Sequence, residues 1–94
     1  MTYKPFDLTG KVALVTGGNS GIGLGMALAM AEAGADIAIW GTSAAKNDAA
    51  TATLERTGRR VLAQLCDVGE EAAVEAAFAE TLRAMGRVDG CFAN

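Results

Sequence analysis

Three helical stretches in this sequence each end at a single glycine, and each is followed within a few residues by a short apolar run. The glycines are Gly34, Gly58 and Gly86, and glycine suits the left-handed conformation that commonly ends a helix. Helices that alternate with short apolar runs predict a βαβαβαβ order of elements. Strands joined by helical crossovers lie parallel, with right-handed connections. The pattern therefore predicts an α/β fold built on a doubly wound parallel sheet.

The alternation also predicts where the elements lie and how the strands are ordered. The predicted strands are 11–16, 36–40, 60–65 and 88–93, and the predicted helices are 21–33, 43–57 and 70–85. The first helix is apolar on nearly all sides, so we expect it to be buried. The third helix has an apolar stripe at Val74, Phe78, Leu82 and Met85, which we expect to be exposed in this piece if the rest of the domain normally covers it. We expect the strand order 3-2-1-4, which places Cys66 and Cys91 about 14 Å apart and leaves both as free thiols.

Composition excludes several classes of function. The 94 residues contain no histidine and two cysteines, so we expect no histidine-based catalytic triad and no metal site. The net charge is −3, and Arg59-Arg60 is the only basic doublet, which argues against a nucleic-acid partner. The longest apolar stretch, 21–31, is too short to span a bilayer. We therefore expect no membrane partner and a cytoplasmic, reducing setting.

The turn after the first strand contains the most specific chemical signal, the segment TGGNSGIG at 16–23. A sharp turn out of a parallel strand favours a residue that can take positive φ, here Gly17. The next helix starts near Ser20, where its first backbone N–H groups have no partner inside the helix. A pyrophosphate placed there gains those hydrogen bonds and the favourable helix dipole. Gly21 and Gly23 have no side chain to hold a phosphate or a neighbouring strand away.

The same glycines have a second, purely structural interpretation. They could serve only to permit a tight turn and close helix–strand packing. The context favours nucleotide binding, because the segment follows a strand, opens a helix and lies in the first βαβ unit. Asn19 and Ser20 could add side-chain donors to a phosphate.

Three motifs together resemble one known family. The spacing Thr-Gly-x-x-x-Gly-x-Gly at 16–23 resembles the cofactor fingerprint of the short-chain dehydrogenase/reductase family. Asp67-Val68 resembles that family's Asp-Val pair, in which the acid meets the adenine amino group. Ala93-Asn94 resembles the opening of its Asn-Asn-Ala-Gly motif, with Asn94 in the place of the second Asn. The resemblance covers the chain from about residue 8 onward.

The resemblance implies a fold and an activity. Residues 1–94 would be the N-terminal part of a single NAD(P)-binding Rossmann domain, truncated after the fourth strand. The full-length enzyme would exchange a hydride between NAD(P)(H) and a small-molecule carbonyl or alcohol, and we expect it to be a homo-oligomer. The family's catalytic Ser, Tyr and Lys lie beyond this chain, whose only tyrosine is Tyr3. We therefore assign no catalytic residue here and expect these residues alone to be inactive.

The motifs and the end of the second strand together define a candidate cofactor site. Its assigned residues are Gly17, Asn19, Ser20, Gly21, Ile22, Gly23, Gly41, Thr42, Asp67, Val68 and Asn94. Asp67 has an alternative role, since acids after a strand often cap the next helix. The resemblance favours adenine contact over capping.

The end of the second strand bears on the choice between NAD(H) and NADP(H). An NAD-specific site usually places an acid there to bind the ribose 2′-OH. Here the strand ends in Trp40-Gly41-Thr42, and Asp36 lies about 13 Å too early. The acid-free end favours NADP(H) over NAD(H), although Ser20 stands where many NADP-dependent members have a basic residue. Lys46 could reach a 2′-phosphate from the second helix, or it could be a solvated surface lysine.

Two other functions stay open from the sequence. One is a non-catalytic dinucleotide-binding or sensor module, which a Tyr-x-x-x-Lys motif beyond Asn94 would exclude. The other is a methyltransferase with a similar sheet, which the missing acid at Gly41-Thr42 disfavours.

Overall fold

In a computed structural model that describes residues 7–93, four strands and three helices alternate along the chain. The strands are β1 (Val12–Thr16), β2 (Asp36–Gly41), β3 (Val61–Leu65) and β4 (Gly90–Ala93). The helices are α1 (Gly21–Glu32), α2 (Ala44–Glu55) and α3 (Glu71–Met85). Each predicted element is present, with its ends within two residues of the predicted bounds.

The four strands form one parallel sheet in the order β3-β2-β1-β4, which confirms the predicted topology. The register places Val12 opposite Asp36 and Ile37 opposite Val61. All strands therefore start at one edge of the sheet and end at the other. We call these the amino edge and the carboxyl edge.

Successive side chains along each strand point to opposite faces of the sheet, and each face has its own apolar core. On one face, residues of β1 and β2 pack against small residues of α1 and α2, and the cluster includes Val15, Ile37, Ile39, Ala27 and Leu54. On the other face, Leu14, Ala38 and Trp40 pack with Cys66 and with Ala77 of α3. Helices thus cover both faces, as a doubly wound sheet requires.

Helix α1 is less buried than its composition suggests. Its buried residues are Gly23, Ala27 and Ala31, which lie on the side that faces the sheet. Ile22 is 76% exposed and Met26 is 36% exposed, since no element among the described residues packs over that outer side. The expectation of a helix buried all round was therefore wrong for this part of the chain.

The apolar stripe on α3 is partly exposed among the described residues. The buried residues of this helix are Ala77, Thr81 and Met85, while Phe78 and Leu82 are exposed by 38% and 41%. Thr81 is fully buried because its hydroxyl has partners: it donates to the Ala77 carbonyl at 2.7 Å and approaches Gln64 Oε1 at 2.7 Å. A satisfied hydroxyl can therefore take an inward position that apolar periodicity assigns to larger side chains.

The ends of the elements follow the sequence closely. Gly34, Gly58 and Gly86 follow their helices with φ of 111°, 84° and 84°, which confirms the glycine endings. Cys66 and Cys91 are free thiols, as the strand order predicts. Among residues 7–93, no helix has the length and apolarity needed to cross a membrane.

Candidate cofactor site

The turn between β1 and α1 depends on two glycines with positive φ. Gly17 has φ of 69° and Gly21 has φ of 57°, in a region that residues with a Cβ rarely adopt. The backbone N–H of Gly17 donates to the Trp40 carbonyl at 2.8 Å, so the turn is tied to β2. Two of the three motif glycines are therefore explained by backbone conformation.

Close packing explains the other glycines of this segment. Gly23 is buried within α1. A Cβ added to Gly18 would lie 2.6 Å from Ile39 Cγ2, so only glycine lets the turn lie this close to β2. Sequence reasoning did not single out Gly18, although the glycine doublet at 17–18 was a signal that it could have used.

The amino terminus of α1 is built differently from that of α2. Ser20 is the N-cap of α1, but its side chain makes no capping hydrogen bond, and the first turn contains no acid. In α2, Ser43 is the N-cap, and its Oγ accepts a hydrogen bond from the Lys46 backbone N–H at 3.3 Å. The first N–H groups of α1 therefore remain able to bind an anion, with the positive end of the helix dipole behind them.

A depression of about 240 Å³ lies at the carboxyl edge of the sheet. It is lined by Thr16, Gly17, Asn19, Trp40, Gly41, Thr42, Ser43, Lys46, Cys66, Asp67 and Val68. The structure thus brings six of the assigned site residues into one depression, from three separate parts of the chain.

The remaining assigned residues do not line this depression. Ser20, Gly21, Ile22 and Gly23 form the adjoining start of α1. Asn94 lies outside the described residues.

The side-chain amides of Asn19 and Asn47 form a hydrogen-bonded network beside the depression. Asn47 on α2 is 4% exposed, and its Nδ2 donates to the carbonyls of Gly41 at 3.3 Å and Gln64 at 3.2 Å. Its Oδ1 accepts from Asn19 Nδ2 at 3.0 Å. The Asn19 amide is therefore directed at Asn47, in addition to any phosphate contact that its position allows.

Sequence reasoning missed Asn47. With Ala50 and Leu54 it forms the buried face of α2. A polar residue on the buried face of a helix needs hydrogen-bond partners, and that was the available signal.

Asp67 and Val68 follow β3 at the mouth of the depression. Asp67 Oδ1 accepts from the Gly69 backbone N–H at 2.9 Å, so the side chain closes a local turn. The N-cap of α3 is Glu70, and the alternative role of Asp67 as that cap is therefore wrong. Val68 is 60% exposed. An acceptor beside an exposed apolar side chain suits a flat base that carries an amino group.

The charges near the depression are few. Burial raises the pKa of the Cys66 thiol, and the nearby Asp67 charge raises it further. Cys66 therefore stays protonated at neutral pH and is not a reactive nucleophile. Asp36 lies at the opposite edge of the sheet, where it pairs with Arg59 and Arg60, and it does not reach the depression.

Comparison with known proteins identifies the family of this chain. A model of the short chain dehydrogenase family matches residues 11–94. The chain therefore belongs to the short-chain dehydrogenase/reductase family, as its motifs predicted.

Particular relatives agree with this assignment. The chain is 40% identical over 94 residues to a hydroxynaphthalene reductase of Aspergillus fumigatus. The aligned region covers 99% of this chain and 34% of that protein. It resembles NAD+-bound xylitol dehydrogenase with a TM-score of 0.88 and 34% identity, over 89% of this chain and 32% of that one. It also resembles NADPH-dependent 3-quinuclidinone reductase from Rhodotorula rubra, with a TM-score of 0.86 and 38% identity. This match covers 92% of this chain and 33% of the reductase chain. The chain thus spans about a third of the length of the relatives it matches.

Proposed function

We propose that the protein containing this chain is an oxidoreductase that transfers a hydride between NAD(P)(H) and a carbonyl or alcohol substrate. In this proposal the chain binds the adenosine and pyrophosphate parts of the cofactor. The observation that carries the proposal is the uncapped amino terminus of α1, which follows a glycine turn at the carboxyl edge. Ligands of doubly wound sheets bind at that edge. When bound, the cofactor supplies or accepts the hydride.

Different residues of the site are proposed to bind different parts of the cofactor, and those at the glycine turn bind the pyrophosphate. Gly17 lets the turn pass beneath the pyrophosphate, and the backbone N–H groups of Gly21, Ile22 and Gly23 lie at the helix terminus that would hold it. Asn19 and Ser20 stay assigned to this phosphate side of the site. No catalytic residue is proposed within this chain.

The adenosine end would lie across β2 and β3. Asp67 would accept a hydrogen bond from the adenine amino group, and Val68 would pack against the ring. Gly41 and Thr42 would lie beside the ribose. Asn94 stays assigned to the cofactor through its motif alone.

We propose that the preferred cofactor is NADP(H). Support comes from the end of β2, where Gly41 and Thr42 present no carboxylate to repel a 2′-phosphate. Lys46 lines the same depression and supplies a positive charge. The similar structures include one bound to NAD+ and one that depends on NADPH, so this preference rests on the residues of this chain.

The proposed substrates are small molecules. The relatives are named for a hydroxynaphthalene, for xylitol and for 3-quinuclidinone, compounds that carry hydroxyl or ketone groups and differ in shape. We further propose a cytoplasmic homo-oligomer that binds neither nucleic acid nor membrane. Free thiols at Cys66 and Cys91 suit a reducing compartment, and the exposed Phe78 and Leu82 of α3 offer apolar surface to a second copy.

Titration calorimetry of the full-length protein with NADP+ and NAD+ tests the binding step. Reduced-nicotinamide absorbance with a panel of small carbonyl substrates tests the turnover. We expect saturable binding of at least one dinucleotide and turnover of at least one substrate. Binding without turnover across the panel would favour the sensor module. Absence of binding would contradict the proposed function.

A further inference from the structure

We propose that Asn47 is a positioning residue for cofactor discrimination. Together with Asn19 it fills the volume in which a side chain on residue 41 would stand. The pair therefore leaves no room at the end of β2 for an acidic side chain, which would favour NAD(H). This inference rests on the proposed function, because it concerns how the same depression distinguishes a ribose 2′-phosphate from a 2′-OH.

The distances around Gly41 show that the two amides exclude a side chain at this position. A Cβ added at this position would lie 2.1 Å from Asn19 Nδ2 and 2.5 Å from Asn47 Oδ1. Both distances are far below the separation of about 3.5–4.0 Å at which non-bonded atoms pack. Any side chain on residue 41, whatever its chemistry, must therefore displace both amides.

Of the two side chains, Asn47 is the one whose displacement costs more free energy. It is 4% exposed and bonds to the carbonyl oxygens of Gly41 and Gln64 as well as to Asn19. Moving it would leave buried polar groups without partners, which is a costly change. Asn19 is half-buried in the turn and is fixed in this place by Asn47. Residue 47 therefore decides whether residue 41 can carry a side chain.

This coupling changes what an acid at the end of β2 should do. The simple expectation is that Gly41→Asp converts an NADP(H) site into an NAD(H) site, because a carboxylate accepts from a 2′-OH and repels a 2′-phosphate. With Asn47 in place, the new carboxylate instead competes with the amide pair and disturbs the glycine turn. We expect the conversion to require a smaller residue at position 47.

The test is a cycle of four full-length proteins: wild type, Gly41→Asp, Asn47→Ala and the double variant. Calorimetric titration gives the dissociation constants for NAD+ and NADP+. Gly41→Asp alone should weaken binding of both cofactors and change the ratio of the two constants by less than about threefold. The double variant should shift that ratio towards NAD+ by about tenfold or more, the effect of one charge-assisted hydrogen bond. Asn47→Ala alone should weaken both cofactors to a similar extent.

A matched control uses another polar residue of α2. Thr53 Oγ1 donates to the Ala49 carbonyl at 3.1 Å within the helix, away from the depression. The Gly41→Asp/Thr53→Ala protein should behave as Gly41→Asp does. A tenfold shift in Gly41→Asp alone, or a double variant no different from the single one, would overturn the proposal.

A second measurement needs no cofactor. Gly41→Ala should lower the melting temperature by about 3 °C or more in the wild-type background and by less than half as much beside Asn47→Ala. Equal losses in the two backgrounds would overturn the steric coupling. If the wild type binds neither dinucleotide, both the proposed function and the proposed cofactor discrimination are wrong. The melting cycle still tests whether Asn47 excludes a side chain at residue 41.

Discussion

The two edges of the sheet hold polar groups of different kinds. At the carboxyl edge the groups are mostly uncharged amides and hydroxyls, and α1 begins there without a side-chain cap. At the amino edge the groups are ion pairs: Asp36 lies 3.4 Å from Arg59 and 3.1 Å from Arg60. Asp89 Oδ2 also accepts from the Val12 backbone N–H at 2.8 Å. Side chains link neighbouring strands at both edges, through ion pairs at the amino edge and through the Asn47 amide at the carboxyl edge. Only the carboxyl edge also has a helix amino terminus whose backbone donors are left for a ligand.

The difference shows that the size of a depression does not identify the site. The larger depression, about 690 Å³, lies at the amino edge beside the ends of α1 and α2. Helix dipoles present their negative ends there, and Arg59, which lines the depression, is already paired with Asp36. The smaller depression at the carboxyl edge adjoins an uncapped helix amino terminus. Anion binding is therefore expected at the smaller one.

The largest expected effect comes from placing a charge in the glycine turn of the carboxyl edge. Gly17→Asp puts a Cβ at φ of 69° and a carboxylate where the pyrophosphate would lie. In the full-length protein, calorimetric titration should show cofactor affinity reduced by more than about tenfold.

Gly58→Ala at the amino edge is the matched control. Gly58 also has positive φ, 84°, and open space beside it. This variant should lose about 1 kcal/mol of stability and keep the affinity of the wild type. Equal affinity losses in the two variants would mean that the glycine turn acts only through folding.

Much of this architecture could be predicted from the sequence because its signals are local. Apolar periodicity and lone glycines predicted the elements, and one glycine-rich turn indicated the edge at which we propose that the cofactor binds. The side-chain pairings could not be predicted, since Asn19 and Asn47 meet although they are 28 residues apart. The outer side of α1 was also misjudged, because apolar residues such as Ile22 and Met26 indicate burial without indicating what packs on them.

The second prediction concerns the ion pairs of the amino edge. Burial raises the pKa of Asp36, but hydrogen bonds from Arg60 and the charges of Arg60 and Arg59 outweigh it and hold the pKa below its usual value. A carboxyl group with a lowered folded-state pKa stabilises the fold above its unfolded pKa of about 3.9, and that stabilisation is lost as pH falls through the folded pKa. Asp36→Asn should therefore cost about 1–2 kcal/mol at neutral pH and much less in acid.

Denaturant unfolding of the full-length protein and of Asp36→Asn at several pH values measures this difference. Calorimetric titration should give the same cofactor affinity for both proteins, since Asp36 is at the far edge. Glu80→Gln is the control, because Glu80 pairs with Arg83 on the exposed side of α3, and it should change stability less. A loss that does not depend on pH would contradict the role of the Asp36 charge.

The smallest expected effect concerns Lys46. It is the one basic residue among the described residues that line the carboxyl-edge depression, and it lies exposed on the first turn of α2. An exposed charge pair contributes about 0.2–1 kcal/mol. Lys46→Ala should therefore weaken NADP+ binding by about threefold, leave NAD+ binding unchanged, and have less effect at high salt.

Arg56→Ala provides a charge-matched control at the other end of the same helix. Arg56 lines the amino-edge depression, so the variant changes the net charge equally but at the wrong edge for the cofactor. Equal losses from the two variants would mean that a long-range field, and not a local contact, attracts the cofactor. Equal weakening of NADP+ and NAD+ by Lys46→Ala would instead place Lys46 near the shared pyrophosphate, because only the 2′-phosphate distinguishes the two cofactors.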